Sequence, residues 1–178
     1  MIKFPIFLVL FSLSVACFSQ EWHQNKTQTK ALFSTSKFGV KVVGNFSESE
    51  VHTNFNSNDL ENSYINLKIR VKSISLGKKS RDEEILEEQY FFEDNHKFIW
   101  FTSIKIEKNE DDELYLLGIL KIRGIAKKVY VPVEVSEGDK KIKIKSKFKI
   151  NREDFQIGKG DFILSKSAKI EVEFTGTT

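Results

Sequence analysis

The sequence predicts an all-β domain, about eight antiparallel strands closed into a barrel, with one short helix after the third strand. Three observations carry this expectation. Apolar and polar residues alternate with a period of two along most of the chain from Ala31 onward. Sixteen Phe stand against two Pro and one Met, and Phe, Ile and Val suit pleated, half-buried surfaces. Clusters of Asn, Asp and Gly punctuate the alternating runs, at residues 56–59, 109–113 and 137–139. A length of 178 residues suits one domain. Closure removes free strand edges, and eight strands leave an interior wide enough for one slender ligand.

The first 19 residues read as a secretory signal peptide. Lys3 precedes an apolar run from Phe4 to Ala16, too short to span a membrane, and small residues Ala16 and Ser19 follow. Cleavage after Ser19 makes Gln20 the mature start and places the protein in the periplasm or outside the cell. Lipidation of Cys17 is the lesser reading, because Ser14 stands where a lipobox carries Leu. Residues 20–30 are polar and read as a flexible lead-in; residues 31–178 form the barrel domain.

Strands are expected at 31–38, 43–55, 64–73, 98–107, 114–122, 128–135, 141–150 and 165–176. The run at 141–150 is the clearest: Ile142, Ile144, Ser146, Phe148 and Ile150 point one way and five lysines the other. In the last strand Ala168, Ile170, Val172 and Phe174 alternate with Lys169, Glu171, Glu173 and Thr175. Consecutive strands pair antiparallel. Charge pairing then allows Lys145 opposite Glu171 with Lys143 opposite Glu173, or Lys143 opposite Glu171 with Lys141 opposite Glu173. Residues 114–122 carry apolar side chains on both faces. Residues 80–88 break the period and read as a short helix, capped by Ser80 with Glu83 in the capping-box position.

Several chemistries are disfavoured. The net charge of +3 includes Lys3 of the leader, so the remainder is nearly neutral and makes no case for nucleic acid. Outside the leader there is no cysteine, hence no disulfide or thiol chemistry. His23, His52 and His96 accompany no nucleophile elbow and read as incidental polar residues. The acidic run from Glu110 to Glu113 falls at a hairpin turn, lacks the spacing of a calcium loop, and reads as solvated. Gly118, Gly124, Gly158 and Gly160 form no phosphate loop. No enzyme, metal or cofactor is expected, and no integral membrane span.

Five segments resemble the YceI-like family, the polyisoprenoid-binding proteins of bacterial envelopes. They are Phe38-Gly39-Val40 leading into Val43-Gly44-Asn45-Phe46-Ser47; Ser73-Ile74, Gly77, Arg81-Asp82, Leu86 and Tyr90-Phe91-Phe92; Lys97, Ile99, Phe101 and Ser103; the run from Gly118 to Val129, with Pro132 after it; and Phe148-Lys149-Ile150-Asn151-Arg152-Glu153-Asp154-Phe155. The match spans roughly residues 31–174. This sequence departs from the family pattern at the first strand, which lacks the Asp-x-x-His-Ser opening, and at Phe98, Lys121 and Gln156.

The resemblance implies a lipocalin-like eight-stranded barrel that binds a long-chain isoprenoid or other amphiphilic lipid without catalysis. The alternative is a structural or protein-interaction barrel with a filled core. The expected lipid-binding tunnel is lined by the dry-face residues Phe33, Phe46, Phe55, Leu67, Ile69, Phe101, Leu116, Leu120, Val131, Ile144 and Phe148. Polar residues expected at the mouth, or holding it together, are Arg81, Asp82, Asn151, Arg152 and Asp154. Asp82 suits the positive end of the short helix, and Arg152 is expected to pair with Asp82 or Asp154. The identity of the lipid and the oligomeric state, a homodimer included, stay open.

Overall fold

A computed structural model describes residues 21–178. The proposed leader, with Cys17, Ser19 and Gln20, lies outside the described residues. Eleven strand segments form one antiparallel sheet: β1 (His23–Gln24), β2 (Lys30–Lys37), β3 (Val40–Phe46), β4 (Ser49–Thr53), β5 (Ile65–Arg70), β6 (Ile74–Ser75), β7 (Phe98–Lys108), β8 (Leu114–Ile122), β9 (Ile125–Glu137), β10 (Lys141–Asn151) and β11 (Ser167–Thr177). A short helix, α1 (Lys79–Glu84), follows β6.

Besides the short β1, the segments reduce to eight runs. β3 and β4 are one run bent at Ser47 and Glu48, and β5 and β6 are one run interrupted by a 3-10 turn at Val71–Ser73. Hydrogen bonds from Ser47 N to Ser73 O (3.1 Å) and from Arg70 N to Glu48 O (3.0 Å) carry the pairing across both bends. β4 pairs β5 and β3 pairs β6, so this bent hairpin links the two ends of the sheet and returns the ring to β2. The expected single strand over 43–55 is therefore bent. The bend turns one long hairpin around the barrel wall.

One joint is short. β9 pairs β8 from Ile125 to Val133, yet its pairing with β10 covers only Glu134 to Glu137 against Ile142 to Lys145. Beyond that point β10 keeps its pairing with β11 down to Asn151. The wall parts between β9 and β10 toward the helix end, where Ser146 Oγ donates to Pro132 O at 2.7 Å.

The β10–β11 register corrects both expected ladders. Lys145 lies opposite Glu173 and Lys147 opposite Glu171. This register sets Ile144 against Phe174 and Phe148 against Ile170 on the inner face. Charge alone could not select it, because every register shifted by two residues offers some Lys–Glu pairs. In β7 a bulge at Ile104 leaves that side chain exposed and switches the inward phase from Phe101 to Ile106. Tyr115, Leu117 and Ile119 are half-buried on the outer face of β8, where the Tyr115 ring stacks on Tyr130 at 4.5 Å.

Two further expectations are corrected. The lead-in is anchored: Trp22 is buried, its indole N–H donates to Phe55 O (2.8 Å) and its backbone N–H to Thr53 O (3.0 Å). β1 pairs β11, and the Gln24 amide bonds Ser49 O and Val51 N of β4, standing in for a strand edge. Helix α1 has Lys78 at its N-cap with no side-chain cap, so the Ser80–Glu83 box does not form. Asp82 instead reaches back to the preceding turn, accepting from Leu76 N (2.5 Å) and Ser75 Oγ (3.2 Å).

Candidate functional site

Alternation places an apolar side chain on the inner face at nearly every second position, and the barrel radius leaves them unable to meet at the axis. An apolar cavity of ≈ 110 Å³ results. Phe33, Phe46, Leu67, Ile69, Phe101, Leu116, Leu120, Val131, Ile144 and Phe148 line it, as their phase predicts. Ser146 is the one polar side chain in that lining. Phe55 is not in the lining. It lies at the closed end, 1% exposed, with its carbonyl holding the Trp22 indole. Phe55 follows β4 rather than lying within it, so strand phase does not apply there.

The far end is sealed by Trp22, Phe55, Ile142 and Phe174. The other end opens into a wider vestibule of ≈ 510 Å³, which shares Phe33, Phe46, Ile99, Ile122, Ile150 and Ile170 with the tunnel. Polar groups enter here. Thr35, Lys37, Lys41, Arg81, Glu84, Tyr90 and Arg152 stand on its walls. Tyr90 reaches toward Glu84 Oε1 (3.5 Å), and burial, with that carboxylate beside it, raises its hydroxyl pKa above the usual value.

Arg152 is 2% exposed, and its partners differ from the expected carboxylates. Its Nε donates to Ser165 O (2.9 Å), one terminal nitrogen to Ile157 O (2.7 Å) and Gly158 O, and the other to Asp161 O (2.9 Å) and Leu164 O (2.7 Å). Five donors meet five carbonyls, which exhausts a guanidinium. Glu153 lies 3.8 Å away as its ionic neighbour. Arg152 thus shapes the rim loop and has no donor left for a head group. Asp82 braces α1, as described. Asn151 caps the following 3-10 turn, accepting from Glu153 N (3.1 Å) and donating to Asp154 (3.2 Å). Of the five polar candidates, only Arg81 is exposed on α1 and also borders the vestibule.

Three glycines were not singled out as site residues, yet they set the bore. A Cβ at Gly44 would lie 2.4 Å from the Phe33 ring, at Gly118 2.5 Å from Phe101, and at Gly176 2.7 Å from Phe174. Each ring occupies the space that a side chain at its glycine would need, so the glycine lets the ring sit close to the barrel wall. The aromatic lies across the ladder for Gly44, diagonally across it for Gly118, and two residues back on the same strand for Gly176. Finding the first two requires the register, and Phe33 opposite Gly44 is the plainest case.

The family model described as YceI-like domain matches residues 22–177. No curated protein matches the chain. Among solved structures, BcnA of Burkholderia cenocepacia is 20% identical with a TM-score of 0.81, covering 85% of this chain and 98% of its own. A polyisoprenoid-binding domain from Saccharophagus degradans, implicated in plant cell wall breakdown, is 11% identical with a TM-score of 0.71 and covers 88% and 98%. The YceI protein of Campylobacter jejuni is 22% identical with a TM-score of 0.69, covering 76% and 84%. These likenesses show the fold.

Proposed function

This chain belongs to the YceI-like family, and on that premise we propose that it carries one amphiphilic lipid, an isoprenoid chain or similar, in its barrel within the bacterial envelope. The observation that supports this is the tunnel itself: apolar along its length, sealed at the Trp22 end and opening into a vestibule with polar walls. An apolar chain in the bore gains burial, and a polar head left at the vestibule keeps its hydrogen bonds. A similar domain from Saccharophagus degradans is described as polyisoprenoid-binding, which supports the ligand class. The reading is of a binder rather than an enzyme, supported by the polyisoprenoid-binding description of the similar Saccharophagus degradans domain.

The test is solvent extraction and native mass spectrometry of the purified protein, with Ile144→Asp beside it. Ile144 is 5% exposed in the tunnel wall. A carboxylate there loses its hydration, destabilising the fold by several kcal/mol or taking up a proton. The wild type should yield a stoichiometric lipid and the variant little. A wild type without extractable lipid that also takes up none from detergent solution would overturn the reading.

A further inference from the structure

At the tunnel mouth the protein exposes large apolar side chains that none of the described residues covers. Phe162 is 100% exposed, Phe38 74%, Val40 68% and Ile163 40%. They come from two loops held side by side: Phe38 N donates to Ile163 O (3.0 Å), Ser165 N to Ser36 O (2.8 Å), and Lys37 pairs with Leu164 in an isolated bridge. Phe38 sits at the tip of the β2–β3 hairpin with φ +52°, beside Gly39 at +76°. That two-residue turn favours Asn or Gly at its first position. A bulky apolar residue there is locally unfavourable and gains no burial, so its presence calls for an external partner.

The outer groove beside this tip is predominantly basic. Lys149 lies directly opposite Lys169 on the outer face of β10 and β11, an arrangement that disfavours the strand pair. Both line an outer groove with Lys41, Lys147 and the single acid Glu171, which pairs with Lys147 at 2.9 Å. Lys41 borders this groove and the vestibule alike. Among the described residues Lys41, Lys149, Lys159 and Lys169 form no ion pair within 4.0 Å, whereas Asp161 is 4.0 Å from Lys37 and Glu153 is 3.1 Å from Lys166. Glu84 is the remaining carboxylate at the vestibule wall.

We propose that this end of the barrel docks on an anionic lipid bilayer, with Phe38 and Phe162 inserted at the interface and Lys41, Lys149 and Lys169 on the phosphates. Apolar tips ringed by lysines match the two layers of a membrane surface, acyl boundary and charged headgroups. The tunnel mouth then faces the source of its cargo. That last step rests on the lipid-carrier reading; the docking does not.

Co-sedimentation of the full mature chain with phosphatidylglycerol–phosphatidylcholine vesicles tests it, with phosphatidylcholine vesicles as the neutral comparison. Anionic vesicles should bind the wild type, and added salt should release it. Phe38→Asn with Phe162→Ser, and separately Lys149→Glu with Lys169→Glu, should each weaken binding about tenfold or more. Asn tolerates the left-handed backbone at position 38, and Phe162→Ser alone serves if the pair unfolds. Absence of wild-type binding, or equal binding in both variants, overturns the proposal. So does a concentration-dependent dimer in sedimentation velocity that the aromatic variant abolishes without any vesicle binding; the tip would then belong to a second copy. Docking by a protein with no extractable lipid would leave this surface standing and remove the carrier reading.

Discussion

Arg152 carries the largest structural burden of any single side chain at the mouth. Its five donors tie residues 157–165 to the start of the 3-10 turn at Arg152–Phe155. Removing the guanidinium leaves several buried carbonyls without partners, each loss costing about 1–3 kcal/mol where water cannot replace it. Arg152→Leu should therefore lower stability by about 3 kcal/mol or more in urea unfolding, and Arg152→Lys should recover only part, having three donors and no planar fork. His96 gives a pH prediction. Burial, reinforced by the charges of Arg123 and Lys121, holds its pKa below the usual 6.5. Its ring packs edge-on to Phe92 at 5.7 Å. Folding thus favours the neutral imidazole. Its contribution is complete above the unfolded-state pKa and is lost as pH falls through the folded-state value. Unfolding midpoints measured from neutral to mildly acid pH should fall less steeply in His96→Gln than in the wild type; equal slopes would remove His96 from the account.

At the scale of elements, the outer faces of β10 and β11 show how charge and packing divide the work of setting register. Lys147–Glu171 lies at 2.9 Å, Lys145–Glu173 at 3.6 Å and Lys143–Glu173 at 4.0 Å. These contacts are exposed and screened, so inner-face packing of Ile144 and Phe148 fixes the register and the ladder follows it. Glu171→Lys with Glu173→Lys should lower the thermal midpoint modestly, less so at high salt, and leave lipid content unchanged. Lost lipid with an intact fold would give this face a role in loading. β1 is the opposite case, short in sequence yet structurally committed. Trp22→Ala removes the seal at the closed end and should cost about 3 kcal/mol or more. Deleting the lead-in should destabilise the barrel likewise, which a flexible tail would not do.

The whole barrel holds a tunnel because aromatic bulk is kept against its wall. Gly44→Ala adds a methyl 2.4 Å from the Phe33 ring and 2.9 Å from Leu76, and both obstacles are side chains that can yield. The ring should swing into the bore, where Phe33 lines tunnel and vestibule alike. Uptake of a long-chain lipid from detergent should fall while the circular dichroism spectrum stays that of the wild type, and adding Phe33→Leu should restore uptake. Unchanged uptake in Gly44→Ala would show that the bore has room to spare there.

Alternation alone determined the eight main strand runs, though not the short β1, the inward phase outside the β7 bulge, and ten of the eleven residues expected in the cavity lining, because a strand with one wet face and one dry face can be read from its own residues. The short helix was legible where the alternation breaks, although it runs over Lys79–Glu84 rather than 80–88 and lacks the expected cap. What depended on contacts between distant residues was not legible. The β10–β11 register came from packing across the barrel, the partners of Arg152 from a loop that closes back on it, and the burial of Trp22 from β4 and the chain just beyond it. The gathering of Phe38 and Phe162 at one mouth required two loops over a hundred residues apart in sequence to meet. Local chemistry fixes which way a side chain points; only chain closure decides what it meets there.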